Sequence, residues 1–369
     1  MKVAIVGAGI GGLSVAWALR KRGVDVMIFD QGDIPSLTAS SNDEHRITRH
    51  TYGGLPGYAA LMPHAFATYD RIWQDIGTSH YLPTGIVYAM RGGADEYDEI
   101  AADLSPLGIA HSRLSLAELE SRVPFLSLDG VTSAYQAGGS GILLAGRIVR
   151  DLAHWLRENG AEMYPNSRVT AVDPDAATVT VGQQVYSADV VVVAAGAWVT
   201  NLLPKLADRL TPSRQMVMYL QPPAHHAASW AQAPVLIDVG PSYGAYVLPP
   251  QGGMRLKIGD HRFTRIGHGD DDRIATDFDI APVLAAAQTA FRDFDQYTIL
   301  ENKVCYYTVS DDERFVIEPI CGAGWVLSAC SGHGFKLGAL MGEGLARTLT
   351  GDTPAGDVTA WAAGKTAGA

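Results

Sequence analysis

The sequence predicts an α/β (α+β) chain, a Rossmann-like dinucleotide-binding domain joined to a discontinuous, β-rich second domain. Three observations predict it. A short apolar run, Lys2–Val6, leads into Gly7-Ala8-Gly9-Ile10-Gly11-Gly12 and then into apolar residues at helical spacing. A second set of helix and strand signals begins near Gly141. Residues 80–140 and 213–300, by contrast, carry strand-like alternation, as in QMVMYLQ, GAYVLPP and MRLKIGDHRF.

The first element reads as a strand buried on both faces. Gly7 permits the tight turn, Gly9 lets the backbone approach a pyrophosphate, and Gly12 lets helix and strand pack closely. Leu13 to Arg22 continues as a helix with a basic end and Gly23 as its stop. The N-terminus of that helix offers free N–H groups and positive dipole to phosphates. VDVMIFD is a second strand, and its last residue, Asp30, is placed to hydrogen-bond ribose hydroxyls. An acid there argues against a 2′-phosphate, but the motif does not separate FAD from NAD.

Residues 145–159 read as an amphipathic helix stopped by Gly160, followed by strands in SRVTAVD, ATVTVG and QQVYSADVVVVAAGAWV. The run Asp189–Ala195 reads as a buried strand that breaks at Gly196. Trp325–Ala329 is a further strand ending in Ser-Gly-His-Gly, and a helix is expected from Phe335 to Leu349, closed by Gly351. The expected division is 1–79, 141–212 and 301–369 for the nucleotide domain, with 80–140 and 213–300 for the substrate domain.

Bulk properties narrow the function. A net charge of −11 argues against nucleic acid or an anionic membrane as partner. Three widely spaced cysteines, Cys305, Cys321 and Cys330, show neither a disulfide framework nor zinc spacing, so no metal and a reducing, cytoplasmic setting are expected. The apolar N-terminus lacks the charged start and cleavage pattern of a signal peptide, and its glycines do not suit a bilayer helix.

Four stretches concentrate chemistry. In SSNDEHRITRHTYGG, Arg46 and Arg49 are three apart, so one helical turn would put both on one face, where a pair can hold a carboxylate. In MRLKIGDHRF, a strand would face Leu256 and Ile258 one way and Lys257, Gly259 and His261 the other; the plainer reading is an exposed strand face. In SGHGFKLGALMGEGL, Lys336 sits in the first turn of a helix, against the dipole, which hints at an anion nearby; the plainer reading is a lysine reaching water. In ENKVCYYTVSDDERF, Cys305 and Tyr307 share one strand face and would make a wall for a flat ring; the plainer reading is an inert buried thiol.

Taken together, HRITRHTYG, VVVAAGAWVTNLL, RLKIGDH, VCYYTVSDDERF and SGHGFK resemble the monomeric sarcosine oxidase and N-methyltryptophan oxidase family, flavoenzymes with a D-amino-acid oxidase-like fold. The resemblance spans nearly the whole chain. It implies FAD, cradled by Gly7, Gly9, Gly12 and Asp30, contacted by Arg46, Gly332, His333, Gly334 and Lys336, and held through an 8α-S-cysteinyl thioether at Cys305. It implies Arg49 and Lys336 as carboxylate binders and Lys257 as the site of oxygen activation. Tyr246, His261, Tyr307 and His333 would line the pocket or contact the flavin. The family's histidine before the arginine pair falls on Asn42, so Asn42 would help shape the substrate pocket. The implied reaction is oxidation of a secondary amine or N-substituted amino acid, with a hydride equivalent passed to flavin, electrons passed to O2 to give H2O2, and hydrolysis of the imine. A monomer is implied. The alternatives are a D-amino-acid or glycine oxidase, a dehydrogenase serving another acceptor, a sensory flavoprotein, and a nicotinamide enzyme, in which the Cys305 strand would have no purpose.

Overall fold

The computed structural model describes residues 1–52, 54–92, 95–240 and 244–366. Strand β1 (Lys2–Val6) feeds helix α1 (Ile10–Arg20), which returns into strand β2 (Asp25–Phe29). β1 lies between β2 and the strand Val190–Val193, parallel to both, with Ile5 opposite Ile28 and Val192. The sheet is completed by Glu162–Tyr164 beyond β2, and by Gly324–Ser328 and the antiparallel edge Val316–Pro319 on the other side.

Alternation gives this sheet two faces. Val3, Ile5, Val26, Ile28 and Val192 pack on a helical layer with Leu13, Trp17, Leu152 and Leu345. Ala4, Val6, Met27, Phe29, Val191 and Val193 pack on the small antiparallel sheet of Val169–Asp173, Thr178–Val181 and Gln184–Ser187. Parallel strands covered on both faces need continuous apolar runs, which is why DVVVV carries no alternation.

The helix Gly334–Leu349 lies tight against α1. A Cβ at Gly342 would sit 2.6 Å from the Cβ of Ser14, and one at Gly338 would sit 3.2 Å from Ile10. The second glycine pair of the sequence is thus spent on helix contact. Among the described residues no helix is long and apolar enough to cross a membrane.

The second sheet has eight strands, ordered Thr298–Ser310, Leu210–Gln221, Leu256–Asp260, Ala245–Leu248, Val235–Ile237, Ile86–Met90, Ser133–Ala137 and His111–Arg113. Leu210–Gln221 pairs with Thr298–Ser310 from end to end, Leu210 opposite Ser310 and Gln221 opposite Thr298. The boundaries expected at 212/213 and 300/301 fall inside these two strands. Cys305 therefore rides on the second sheet, opposite Gln215, and not on the nucleotide layer.

The arginine pair departs from expectation. Arg46–Thr48 is a strand, paired antiparallel with Gly141–Leu143, and no helical turn joins Arg46 to Arg49. β-branched Ile47 and Thr48 favour that extended form.

Gly342→Leu is expected to lower the unfolding free energy by about 1–3 kcal/mol, as overpacking does in a tight core. A urea denaturation curve against the parent protein measures it; an unchanged midpoint would show that α1 and its partner helix can separate freely.

Candidate active site

The glycine turn is shaped by close approach. Gly7 has φ +106°, and a Cβ there would lie 2.4 Å from the Ala194 carbonyl oxygen. A Cβ at Gly12 would lie 1.9 Å from the Gly7 carbonyl oxygen, so helix and strand meet with no room for a side chain. Asp30 accepts from the Ala8 N–H at 2.8 Å and from the Gly32 N–H at 2.9 Å. It thereby pins the turn, and it lines the cleft. Ser41 Oγ accepts from the Ile10 N–H at 2.9 Å, in the first turn of α1.

From this turn a cavity of about 500 Å³ runs between the two sheets. Gly7, Gly9 and Asp30 line one end; Arg46, Arg49, Tyr246, Lys257, His261, Tyr307, His333 and Lys336 line the rest. Both arginines reach it from the short strand and the residues just after it, so the pair converges without a helix. Lys257 is wholly buried, which rules out the exposed-face reading. Tyr246 lies over its strand, and a Cβ on Gly259 would sit 2.6 Å from the Tyr246 hydroxyl.

The inner end is positively charged. Arg49 receives the Tyr88 hydroxyl as its hydrogen-bond acceptor at 3.0 Å. Lys336 stands over the Tyr52 ring at 5.3 Å and does not run out to water. Among the described residues neither cation makes an ion pair. Burial, and then Arg49, push the Lys336 ammonium down to about 7. The His261 side chain is 38% exposed, and partial desolvation, then Arg49 and Lys336, shift its imidazole pKa downward. His333 is also held well below its usual range, by burial first and Lys336 next, and neither ring nitrogen has a hydrogen-bond partner. Both histidines are therefore neutral near pH 7, and the positive charge of this end rests on Arg49 and Lys336, opposed by the nearby Asp238 carboxylate, whose charge acts on Arg49.

A second cluster lies around Arg46. Lys257 Nζ donates to Asp43 Oδ2 at 3.0 Å and to the His45 carbonyl. Asp43 also accepts from the Tyr219 hydroxyl and pairs with Arg46, and Lys303 Nζ is 3.6 Å from it. Cys305 borders a smaller neighbouring cavity, with Asn42, Asp43 and Arg46, and shares Arg46 with the large one. Burial raises its thiol pKa, while Arg46, Lys257 and Lys303 pull it back. The cations therefore favour the thiolate and burial opposes it.

Asn42 is not with the substrate-pocket residues. Its amide donates to the Leu37 carbonyl at 3.2 Å, its own carbonyl accepts from Lys303 at 2.8 Å, and it lines the smaller cavity. The sequence reading also missed Asp43, Tyr219, Lys303, Tyr52 and Asp238. Asp238 holds a left-handed φ of +60°, lies 3.7 Å from His261, and has a carboxyl pushed up to about 6 by burial. Apart from the Asp43–Arg46 pair, three residues apart, the partners of these residues lie far along the chain, so local spacing does not mark them.

The arrangement fits FAD. The glycine turn has the close backbone approach a pyrophosphate needs, and the cavity joins it to unpartnered His333 nitrogens and to a surplus of buried positive charge. The comparisons agree. The family model for FAD dependent oxidoreductases (DAO) matches residues 2–348. The chain belongs to that family. It is 27% identical over 365 residues to the monomeric sarcosine oxidase of Bacillus sp. (strain B-0618), covering 95% of this chain and 93% of that one. It is 25% identical to the N-methyl-L-tryptophan oxidase of Citrobacter koseri, covering 96% of each. The crystal structure of L-proline dehydrogenase from P. horikoshii superposes with a TM-score of 0.83 at 18% identity, over 99% of this chain and 96% of that one, which shows the shared fold.

The Lys336 shift sets a pH dependence. A lysine that releases its proton near pH 7 is a cation below that value and neutral above it. Acetate should therefore bind the FAD-loaded protein more weakly at pH 9 than at pH 6, and Lys336→Met should flatten that slope. Flavin difference spectra measure both; an equal slope in the variant would assign the titration elsewhere.

Proposed function

We propose that the protein oxidises the C–N bond of a secondary amine on an amino acid, such as sarcosine, another N-methyl amino acid or the cyclic pipecolate, with O2 as electron acceptor. The observation that carries this reading is the cavity joining the glycine turn to Arg49 and Lys336, two cations that make no ion pair among the described residues. The similarity to oxidases of N-methylated amino acids supports the substrate class.

Arg49 and Lys336 are the groups to take the substrate carboxylate, which fixes the reacting carbon by orientation. The same positive field disfavours a second cation, so the amine enters or becomes neutral and needs no side-chain base. His261 and His333, both neutral, line the pocket as polar, uncharged walls. FAD, when bound, supplies the two-electron acceptor for a hydride equivalent and returns the electrons to O2. The amine loses two electrons and two hydrogens to become an imine; O2 with two electrons and two protons gives H2O2. Water then cleaves the sarcosine imine to glycine and formaldehyde, while a cyclic imino acid is left as a cyclic imine. Arg46 and Lys257 stabilise the negative charge that develops on the electron-acceptor side, and Lys257 is the group to stabilise charge as O2 is reduced.

Gly7, Gly9, Gly12, Asp30, Arg46, Gly332, His333, Gly334 and Lys336 are the residues to hold FAD, with Cys305 as the thioether donor. Were FAD bound there, Cys305 would supply the sulfur and release the thiol proton, and the two electrons lost in forming the thioether would pass to O2, which would leave as H2O2. We place the protein in the cytoplasm as a monomer, with the substrate domain expected at 80–140 and 213–300 widened to take in the whole of the strands Leu210–Gln221 and Thr298–Ser310.

Purified protein precipitated in acid should keep its yellow colour in the pellet, with an intact mass raised by one FAD that Cys305→Ala loses. Colour released to the supernatant would leave Cys305 a bystander. Under nitrogen, sarcosine or a related secondary amine should bleach the flavin, and air should restore it. Lys257→Met should keep the anaerobic bleaching and slow recovery by at least about tenfold; equal loss in both steps would remove Lys257 from the oxygen reaction, and absence of bleaching by every amine tried would overturn the reading.

A further inference from the structure

The wholly buried Lys257 is surrounded by its own kind. Burial depresses its proton affinity most, and Arg46 and Lys303 lie close enough to depress it further. Glu44 and Cys305 act in the opposite direction. Glu44, though, is engaged with Arg255, accepting from its backbone N–H at 2.8 Å and pairing with its guanidinium at 2.5 Å. The Tyr219 ring lies 6.0 Å from Nζ, and the His45 imidazole is itself kept neutral by burial and by Lys257. Among the described residues the carboxylate in direct contact with Lys257 is Asp43, at 3.0 Å, on a side chain 3% exposed; the same oxygen also pairs with Arg46, and Lys303 Nζ lies 3.6 Å from the other oxygen.

Asp43 is itself held in place. Its Oδ1 accepts from the Glu44 N–H at 2.9 Å and from the Tyr219 hydroxyl, and its backbone carbonyl accepts from the Gly146 N–H at 2.7 Å. Tyr219 is fixed in turn by the Arg255 guanidinium, 3.9 Å from the ring centre. The carboxylate is thus set by the β-strand Leu210–Gln221 and by the start of the helix Ala145–Glu158 before Lys257 meets it. A lone ammonium in a dry site gives up its proton; one locked to a carboxylate keeps it.

We propose that Asp43 is a positioning residue whose carboxylate holds Lys257 Nζ as an ammonium at the cavity wall, and with it the capacity of the site to pass electrons to O2. The consequence for O2 rests on the oxidase reading above; the ion pair does not. In the reoxidation step the two electrons come from the reduced cofactor, two protons come from the reduced cofactor and solvent, and O2 leaves as H2O2. Lys257 contributes charge and is unchanged at the end.

The test uses FAD-loaded protein reduced with dithionite, so that no amine substrate need be known. Stopped-flow mixing with oxygenated buffer from pH 6 to 9 gives the reoxidation rate; sulfite titration of the oxidised flavin over the same range gives a binding constant that senses nearby positive charge. Relative to the parent protein, Asp43→Asn should show a titration step in both readouts, reoxidising at least about tenfold more slowly at pH 9 while approaching the parent rate at pH 6. Asp43→Glu should restore a flat ratio, and Asp43→Asn combined with Lys257→Met should lose the step. A flat ratio in Asp43→Asn overturns the proposal, as does a uniform loss at all pH values accompanied by loss of bound FAD, which marks a merely structural role. If the parent protein reoxidises no faster than Lys257→Met, the oxidase reading falls, and the sulfite step alone decides whether Asp43 governs the charge on Lys257.

Discussion

Burying positive charge is the constraint around which this molecule is arranged. Arg46, Arg49, Lys257 and Lys336 all face the interface between two sheets, where desolvation costs several kcal/mol per ion unless something compensates. Asp43 compensates the group at Arg46 and Lys257. Among the described residues no ion pair compensates Arg49 and Lys336, whose direct contacts are a tyrosine hydroxyl and a tyrosine ring; the Asp238 carboxylate acts on Arg49 from further off. A pocket left in that condition favours an anion, and the two ends differ in what they want: one has its counter-ion built in, the other awaits it.

Holding such a charge distribution requires stiff support. Each cation is carried by a different part of the fold: Arg46 by a three-residue strand, Lys257 by the interior of the eight-stranded sheet, Lys336 by the first turn of a helix clamped to α1. The clamp depends on glycines that admit the backbone of α1, and the sheet depends on the long pairing of Leu210–Gln221 with Thr298–Ser310. That pairing also fixes where Cys305 and Tyr307 stand relative to Arg46. The nucleotide layer supplies the turn and the acid at its end; the second sheet supplies the reactive wall.

Much of this was readable locally. The glycine turn, β1, α1, β2 and Asp30 follow from steric rules acting over a few residues, and the helices 145–158 and 334–349 follow from apolar period and glycine stops. The reading of Arg46 and Arg49 as one helical face failed because spacing alone cannot distinguish a turn from a strand whose partner, Gly141–Leu143, lies nearly a hundred residues away. Asn42 was placed with the substrate pocket by alignment, and its side chain instead bonds the Leu37 carbonyl beside the smaller cavity.

The sequence by itself determined the nucleotide cradle, the segments that become strands and helices, and which cations are available, because these depend on residue type, period and short-range sterics. Tertiary structure decided which charges meet. That Asp43 reaches Lys257, that Tyr219 orients Asp43, and that Lys336 and Arg49 share one unpaired pocket depend on strands brought together across more than a hundred residues. The energy of a buried charge is set by the atoms within a few ångströms, and chain order does not specify those neighbours.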